Sequence, residues 1–322
     1  MLNKKFHQTA FSIKNSIKKA HHILLIAHKN PDGDTIGSSL AFYEILKKQG
    51  KKVTIFCNDF LPDDFYFLSF LDNFKNDLQN IEQFDLAITL DCGADYMTGI
   101  SEKFSMLFNK NFPLINIDHH PSNNNFGQIN LIDPTACSTT LILTSLFQFL
   151  SWPISYQTAT ALLCGIYTDT GSFQHSNTNS DALRSAAFLM RKGARVNEIS
   201  KHIFKTYKLE KLSLWGRILS RVYQNEEKIV ISNVSDQDLI ETNTEAGDIS
   251  GVIDFLNSVP DCPFSLLLTE INGKVKASFR TVNNDIDVAK LASVFGGGGH
   301  KKAAGFTLPG KLKKEIHWCI VS

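Results

Sequence analysis

Apolar residues along the first half of the chain come in short continuous runs, each closed by a polar loop. After a lysine-rich opening, whose apolar spacing suggests a surface helix, the first such run is Ile23–Ala27. It ends in His28-Lys29-Asn30-Pro31-Asp32-Gly33-Asp34. A run this short and this uniformly apolar reads as a strand buried on both faces. A helix is predicted from about Thr35, as its cap, through Leu40, Phe42, Ile45 and Leu46 to a stop at Gly50, followed by a strand over Lys52–Cys57. The pattern recurs at Leu86–Leu90, which delivers Asp91-Cys92-Gly93, and at Leu114–Ile117, which delivers Asp118-His119-His120. Helices follow over Thr139–Phe149 and Thr158–Tyr167, then a polar loop holding Asp169, then a helix over Asp181–Met190.

The character changes at Arg191-Lys192-Gly193. Beyond a polar, lysine-rich stretch, shorter strands dominate: Lys228–Ser232, Ser265–Ile271, an Asn272-Gly273 turn and Lys274–Arg280, ending in Gly296-Gly297-Gly298-Gly299-His300. The expectation is an α/β fold: an N-terminal parallel-sheet domain over residues 1–192, a linker over 193–226 and a smaller C-terminal α/β domain over 227–322, with a cleft between the domains. A length of 322 residues agrees, being longer than a single core usually grows.

In an open parallel sheet, ligands bind at the carboxyl ends of the strands. Three strands here deliver acidic or histidine residues to that edge. His28-x-x-x-Asp32-x-Asp34 places an imidazole and two carboxylates in one loop, and the alternate spacing of the aspartates lets an extended segment aim both at one centre. Asp91, Asp118-His119-His120 and Asp169 add further donors. Each piece alone is ordinary: Asp-Gly-Asp is a common turn, and a strand-end aspartate often caps a helix. Their joint occurrence at successive strand ends points to a metal centre, and mixed imidazole and carboxylate donors suit manganese or iron better than magnesium. His21 and His22, ahead of the first strand, read as surface residues. His175, close to the Asp169 loop, is placed to touch a substrate.

The segments AHKNPDGDTIGSSLA, LDCGA, NIDHHPSNNNFG, IYTDTGSF and GGGGHKKAAGF, spread over nearly the whole chain, resemble the motifs of the DHH phosphoesterases of the stand-alone type with a DHHA1 domain. Within that family the likeness is to the nanoRNase and 3′-phosphoadenosine-5′-phosphate phosphatase group. The resemblance implies two manganese ions, with magnesium or iron as substitutes. His28 and Asp32 would bind one, Asp34, His119 and Asp169 the other, and Asp91 would bridge them. It also implies that His120 faces the substrate phosphate, while Asp118 orients a histidine ring; since a 3′-oxygen is a poor leaving group, His120 is the candidate proton donor. In the second domain the glycine run (Gly297, Gly298, Gly299) and His300, whose ordinary reading is a tight loop, become a substrate-recognition element with Ser278 and Arg280 as partners.

Charge narrows the substrate. Lys and Arg total 33 against 32 Asp and Glu, a net +1 that supplies no field for holding long duplex nucleic acid. Short oligonucleotides and phosphonucleotides are expected instead. They would be hydrolysed to nucleoside monophosphates or relieved of a 3′-phosphate, with the distance between the domains setting the length accepted. Linear or cyclic dinucleotides such as pApA and cyclic di-AMP are the alternative substrates, and a non-catalytic phosphonucleotide-binding regulator is the alternative to an enzyme. The glycine-rich segment disfavours a pyrophosphatase. Six scattered cysteines without a CxxC pair fit a reducing cytoplasm, and no apolar window is long enough to cross a bilayer. The oligomeric state is left open, a homodimer included. The C-terminal segment after Gly310 matches no pattern.

Overall fold

The computed structural model describes residues 2–109, 111–204 and 207–313, and it divides into two compact units, 1–206 and 207–322. In the first unit α1 (His7–Lys19) precedes β1 (His22–Ala27), α2 (Gly33–Lys48), β2 (Lys52–Phe56), β3 (Phe74–Lys75), β4 (Leu86–Leu90), β5 (Leu114–Asp118) and β6 (Ile129–Ile132). Then come α3 (Thr139–Phe149), α4 (Tyr156–Asp169), α5 (Ser180–Arg191) and α6 (Val196–Phe204). The six strands form one parallel sheet in the order β3-β2-β1-β4-β5-β6. Strand order reverses between β1 and β4, so the loops after these two strands diverge and leave a crevice at the carboxyl edge.

The uniform apolar run of β1 has the reason given by its position. Ile23 and Leu25 belong to the core shared with the helices, among them Leu40, Leu143 and Leu162, while Leu24 and Ile26 pack on the other face with Phe84, Ile100 and Leu107. Both faces are buried, so neither can be polar.

Three local readings change. Asp32, not Thr35, caps α2: its carboxylate accepts from the backbone N–H groups of Asp34 and Thr35, both at 3.0 Å. The extended backbone of Asp32 (φ −106°, ψ −171°) supplies the cap geometry, and Thr35 already lies inside the helix. His22 is buried as the first residue of β1, its ring 3.1 Å from the Thr54 hydroxyl, whereas His21 is exposed. Much of 193–226 is helical rather than open linker: α6 adds Ile199 to the first core, and α7 (Leu209–Ser220) adds Leu214, Trp215 and Ile218 to the second.

The second unit continues from α7 with β7 (Tyr223–Gln224), β8 (Val230–Val234), α8 (Asp236–Thr242), α9 (Val252–Leu256), β9 (Ser265–Ile271), β10 (Lys274–Arg280), α10 (Val288–Ser293), β11 (Gly298–His300) and β12 (Ala303–Pro309). The sheet order is β11-β12-β10-β9-β8-β7, antiparallel except for the β8–β9 pair. Asn272 and Gly273 make the β9–β10 turn with φ of 53° and 72°, the left-handed pair that suits the twist of a two-residue hairpin. Residues 314–322, at the end of the expected C-terminal domain, lie outside the described residues. No helix among the described residues is long and apolar enough to cross a membrane.

An ion pair between buried Asp238 and exposed Arg221 fastens this unit. Asp238 receives both arms of the Arg221 guanidinium at 2.6 Å and closes a capping box with Ser235, joining α7 to α8. The Arg221 contact holds its carboxyl down at about 2 from an ordinary 3.8. A carboxyl depressed in the folded state stabilises it above the unfolded value and loses that contribution as pH falls through the folded one. With the Arg221 side chain open to solvent and its attraction screened, Asp238→Asn should cost on the order of 1 kcal/mol at pH 7, shrinking toward zero between about pH 4 and pH 2. Urea unfolding followed by tryptophan fluorescence reads this directly; a penalty independent of pH would contradict it.

Candidate metal centre

The loops after β1, β4 and β5 and the end of α4 bring seven of the expected residues to one edge of the first sheet. His28 follows β1 directly. Its Nδ1 lies 2.7 Å from the Lys29 carbonyl oxygen, and because a carbonyl only accepts, that nitrogen carries the proton and Nε2 is left as the donor atom. Nε2 lies 3.5 Å from Asp91 Oδ2 and 3.8 Å from Asp32 Oδ1. Asp91 follows β4 with φ 62°, a left-handed conformation that aspartate tolerates better than most residues. Its second oxygen, Oδ1, lies 3.6 Å from His119 Nε2, and His119 Nε2 lies 3.3 Å from Asp169 Oδ2.

Three overlapping groups result: His28, Asp32 and Asp91; Asp34, His119 and Asp169; and Asp91, His119 and His120. In each, one donor atom per residue lies within 4.8 Å of the others. Asp91 thus offers one oxygen toward His28 and the other toward His119, on opposite sides of the cluster.

The neighbours that set these side chains were only partly legible in the sequence. Asp118 does orient a histidine, and the ring it holds is that of His120: Nδ1 of His120 donates to Asp118 Oδ1 at 2.7 Å, which leaves Nε2 as the outward nitrogen. Asn123 donates to the other Asp118 oxygen at 2.6 Å and to the Cys92 carbonyl at 3.0 Å. Thr35 and Thr139 each donate a hydroxyl to Asp91, at 2.8 and 3.0 Å. Asp34 takes the Thr139 and Thr140 backbone N–H groups at 2.6 and 2.9 Å and the Thr140 hydroxyl at 2.6 Å. The one sequence signal for these threonines is a polar Ser138-Thr139-Thr140 run opening an otherwise apolar helix. His175 is exposed, with Nδ1 3.3 Å from the Asp169 carbonyl.

Burial acts on every charge here, and the neighbours decide the outcome. Burial raises Asp91, but His28, His119 and His120 outweigh it and hold this carboxyl far below its usual range. Burial, followed by the negative charge of Asp91 and Asp32, pushes Asp34 well above that range; burial with Asp34, Asp91 and Asp32 does the same to Asp169. His120 is raised to about 9, first by its hydrogen bond to Asp118. His28 is also raised to about 9, Asp91 and Asp32 overcoming a burial that lowers it. Burial and mutual repulsion thus both work against ionising Asp34 and Asp169 beside Asp91 and Asp32. A divalent cation among them removes that conflict, so the donor set fits a metal.

In the second unit, register places four expected residues on one sheet face. Ser278 pairs with Gly305, which pairs with Gly298; Arg280 pairs with Ala303, which pairs with His300. Directly paired residues point to the same side, so Ser278, Arg280, His300 and the bare backbone of Gly298 share a surface. Ser278, Arg280 and Lys276 line a recess of about 270 Å³. Gly297 and Gly299 have another reason to be glycine. A Cβ on Gly297 would lie 2.3 Å from the Gly305 carbonyl oxygen, and Gly299 has φ 142° with a Cβ 2.5 Å from the Ala303 carbonyl oxygen. Gly298, like Gly296, faces open space. The Lys302 ammonium is held by the Val282 and Asn283 carbonyls.

The DHH family N-terminal domain model matches residues 22–166, and the DHHA1 domain model matches residues 226–317. The chain is 30% identical over 294 residues to the bifunctional oligoribonuclease and PAP phosphatase NrnA of Thermus thermophilus, covering 89% of this chain and 84% of that protein. Among solved structures, an exopolyphosphatase-related protein from Bacteroides fragilis superposes with a TM-score of 0.84 at 25% identity, covering 98% of this chain and 94% of that one. RecJ of Thermus thermophilus in complex with Mn2+ shares the fold, with a TM-score of 0.52 at 14% identity over 94% of this chain and 52% of that one. The chain belongs to the DHH family of metal-dependent phosphoesterases, in its DHH–DHHA1 arrangement.

Proposed function

We propose that this protein hydrolyses short oligoribonucleotides to nucleoside monophosphates and removes the 3′-phosphate of 3′-phosphoadenosine-5′-phosphate, with manganese as its metal. The observation that carries the metal reading is the Asp91 carboxylate, one oxygen toward His28 and the other toward His119. His28 and Asp32 would hold one ion and Asp34, His119 and Asp169 a second, with Asp91 beside both groups. Mixed imidazole and carboxylate donors favour manganese or iron over magnesium, and the name of the Thermus relative, similar along most of its length, supplies the substrate class. When bound, such ions activate water and stabilise the charge of an in-line displacement at phosphorus.

The protein's own residues do the rest. His120, with Nδ1 fixed on Asp118, turns Nε2 outward as the proton donor for the leaving 3′-oxygen. Asp118, itself fixed by Asn123, keeps that ring from rotating. In the second unit, the fork of Arg280 takes two oxygens of a terminal phosphate, with Ser278, His300 and the Gly298 backbone beside it.

The direct test loads the protein with manganese and compares kcat/KM for ribonucleotides from dimer to pentamer, 3′-phosphoadenosine-5′-phosphate, pApA and cyclic di-AMP. The first two classes should be turned over best. Absence of product with every compound, or a preference for long DNA, would sink the proposal. Within that assay His120→Ala should lower kcat by ~10²–10⁴-fold with metal content unchanged. Asp91→Asn should lower kcat/KM by more than the ~100-fold typical of outer-contact changes and lose bound metal as well. Arg280→Ala should raise KM for phosphate-ended substrates by ~10–100-fold, with little effect on kcat; equal losses on bis(p-nitrophenyl) phosphate would remove Arg280 from recognition.

A further inference from the structure

Thr139 is the one residue seen to hydrogen-bond to carboxylates of both halves of the centre. Its backbone N–H donates to Asp34 Oδ2 at 2.6 Å, and its hydroxyl donates to Asp91 Oδ1 at 3.0 Å. Asp34 groups with His119 and Asp169, while Asp91 groups with His28 and Asp32 on one side and with His119 and His120 on the other. Thr139 itself is fully buried at the first position of α3, whose N-terminus is capped by the Ser138 hydroxyl. The other Asp91 oxygen takes the Thr35 hydroxyl, from the first turn of α2. The Asp91 carboxylate is thus clamped from two helices, one hydroxyl to each oxygen.

Carboxylate rotation is the motion that this clamp prevents. Asp91 reaches both sides of the cluster only while its plane is held so that Oδ2 points to His28 and Oδ1 to His119. A free carboxylate would turn about its last bond and present both oxygens to one side. A hydroxyl on each oxygen fixes that plane without adding charge. The Thr139 hydroxyl also accomplishes something that its backbone N–H cannot, because the N–H reaches Asp34 alone.

We infer that Thr139 is a positioning residue that couples the two half-sites: through its N–H and its hydroxyl it fixes Asp34 relative to Asp91, so that both ions bind to one preorganised frame. This rests on the two-ion reading above. It goes beyond that reading in naming a residue that touches neither ion and yet governs how tightly the pair is held.

Thr139→Val is the direct probe. Valine keeps the branched shape and the backbone N–H, and puts a methyl group where the hydroxyl met Asp91. Isothermal titration with Mn2+ should show two ions bound by the wild-type protein. Thr139→Val should bind Mn2+ ~10–100-fold more weakly, and Thr139→Ser, which restores the hydroxyl, should recover to within a few-fold of wild type. Thermal unfolding in EDTA separates this from a folding defect: the proposal requires metal-free melting temperatures of Thr139→Val and wild type to agree within a few degrees. Should Thr139→Val fail to fold, Thr35→Val removes the opposing hydroxyl and should weaken Mn2+ to a similar extent. Mn2+ binding at wild-type strength in the folded valine variant, or no recovery with serine, would overturn the role of Thr139. Failure of the wild-type protein to bind Mn2+ would instead defeat the metal reading itself.

Discussion

Four carboxylates converge on one sheet edge, and like charges packed that closely in a buried setting repel. The surrounding structure is organised to withstand that repulsion. Three of the four receive partial compensation: Asp32 and Asp34 take backbone N–H groups at the starts of α2 and α3, where the helix dipoles favour negative charge. Asp91 lies among three imidazoles and two threonine hydroxyls. What remains uncompensated at Asp34 and Asp169 is the demand for a cation, and a metal is the natural answer to it.

The fold makes the convergence affordable by keeping the strands themselves free of polar work. Buried on both faces, β1 and β4 carry only register and support, and every donor sits just past a strand end or at a helix terminus. The reversal of strand order between β1 and β4 then gives space for His28 and Asp91 to face each other across a crevice rather than along one ridge.

The second unit solves a different problem. Its mixed sheet leaves the face bearing Ser278, Arg280, Gly298 and His300 assembled from three adjacent strands, β10, β12 and β11. Two of its glycines serve backbone packing and a third leaves the surface open, so one run of identical residues has two physical causes. The proposed recognition by a few directed groups needs no broad basic field, and a net charge near zero supplies none.

Sequence alone determined β1, β2, β4 and β5 and the residues that follow β1, β4 and β5, while the edge strands β3 and β6 went unread. Parallel strands buried on both faces have to be apolar runs, and the polar residues that interrupt them have to lie at their ends, so Ile23–Ala27 and Leu86–Leu90 announce His28 and Asp91 without further help. The hairpin at Asn272-Gly273 is legible for a similar reason, because its backbone requires residues that tolerate positive φ. Tertiary structure decided which group meets which. Thr35 is a plausible helix cap in one dimension and an Asp91 partner in three; the capping role falls to Asp32. Thr139 shows in the sequence only as part of a polar run at a helix start, and nothing local marks what it or Asn123 bonds, since their partners lie on other strands and helices or across a loop. His22 and the helices within 193–226 were misread for the same cause: burial depends on what the rest of the chain packs against a segment, and that is not written in the segment itself.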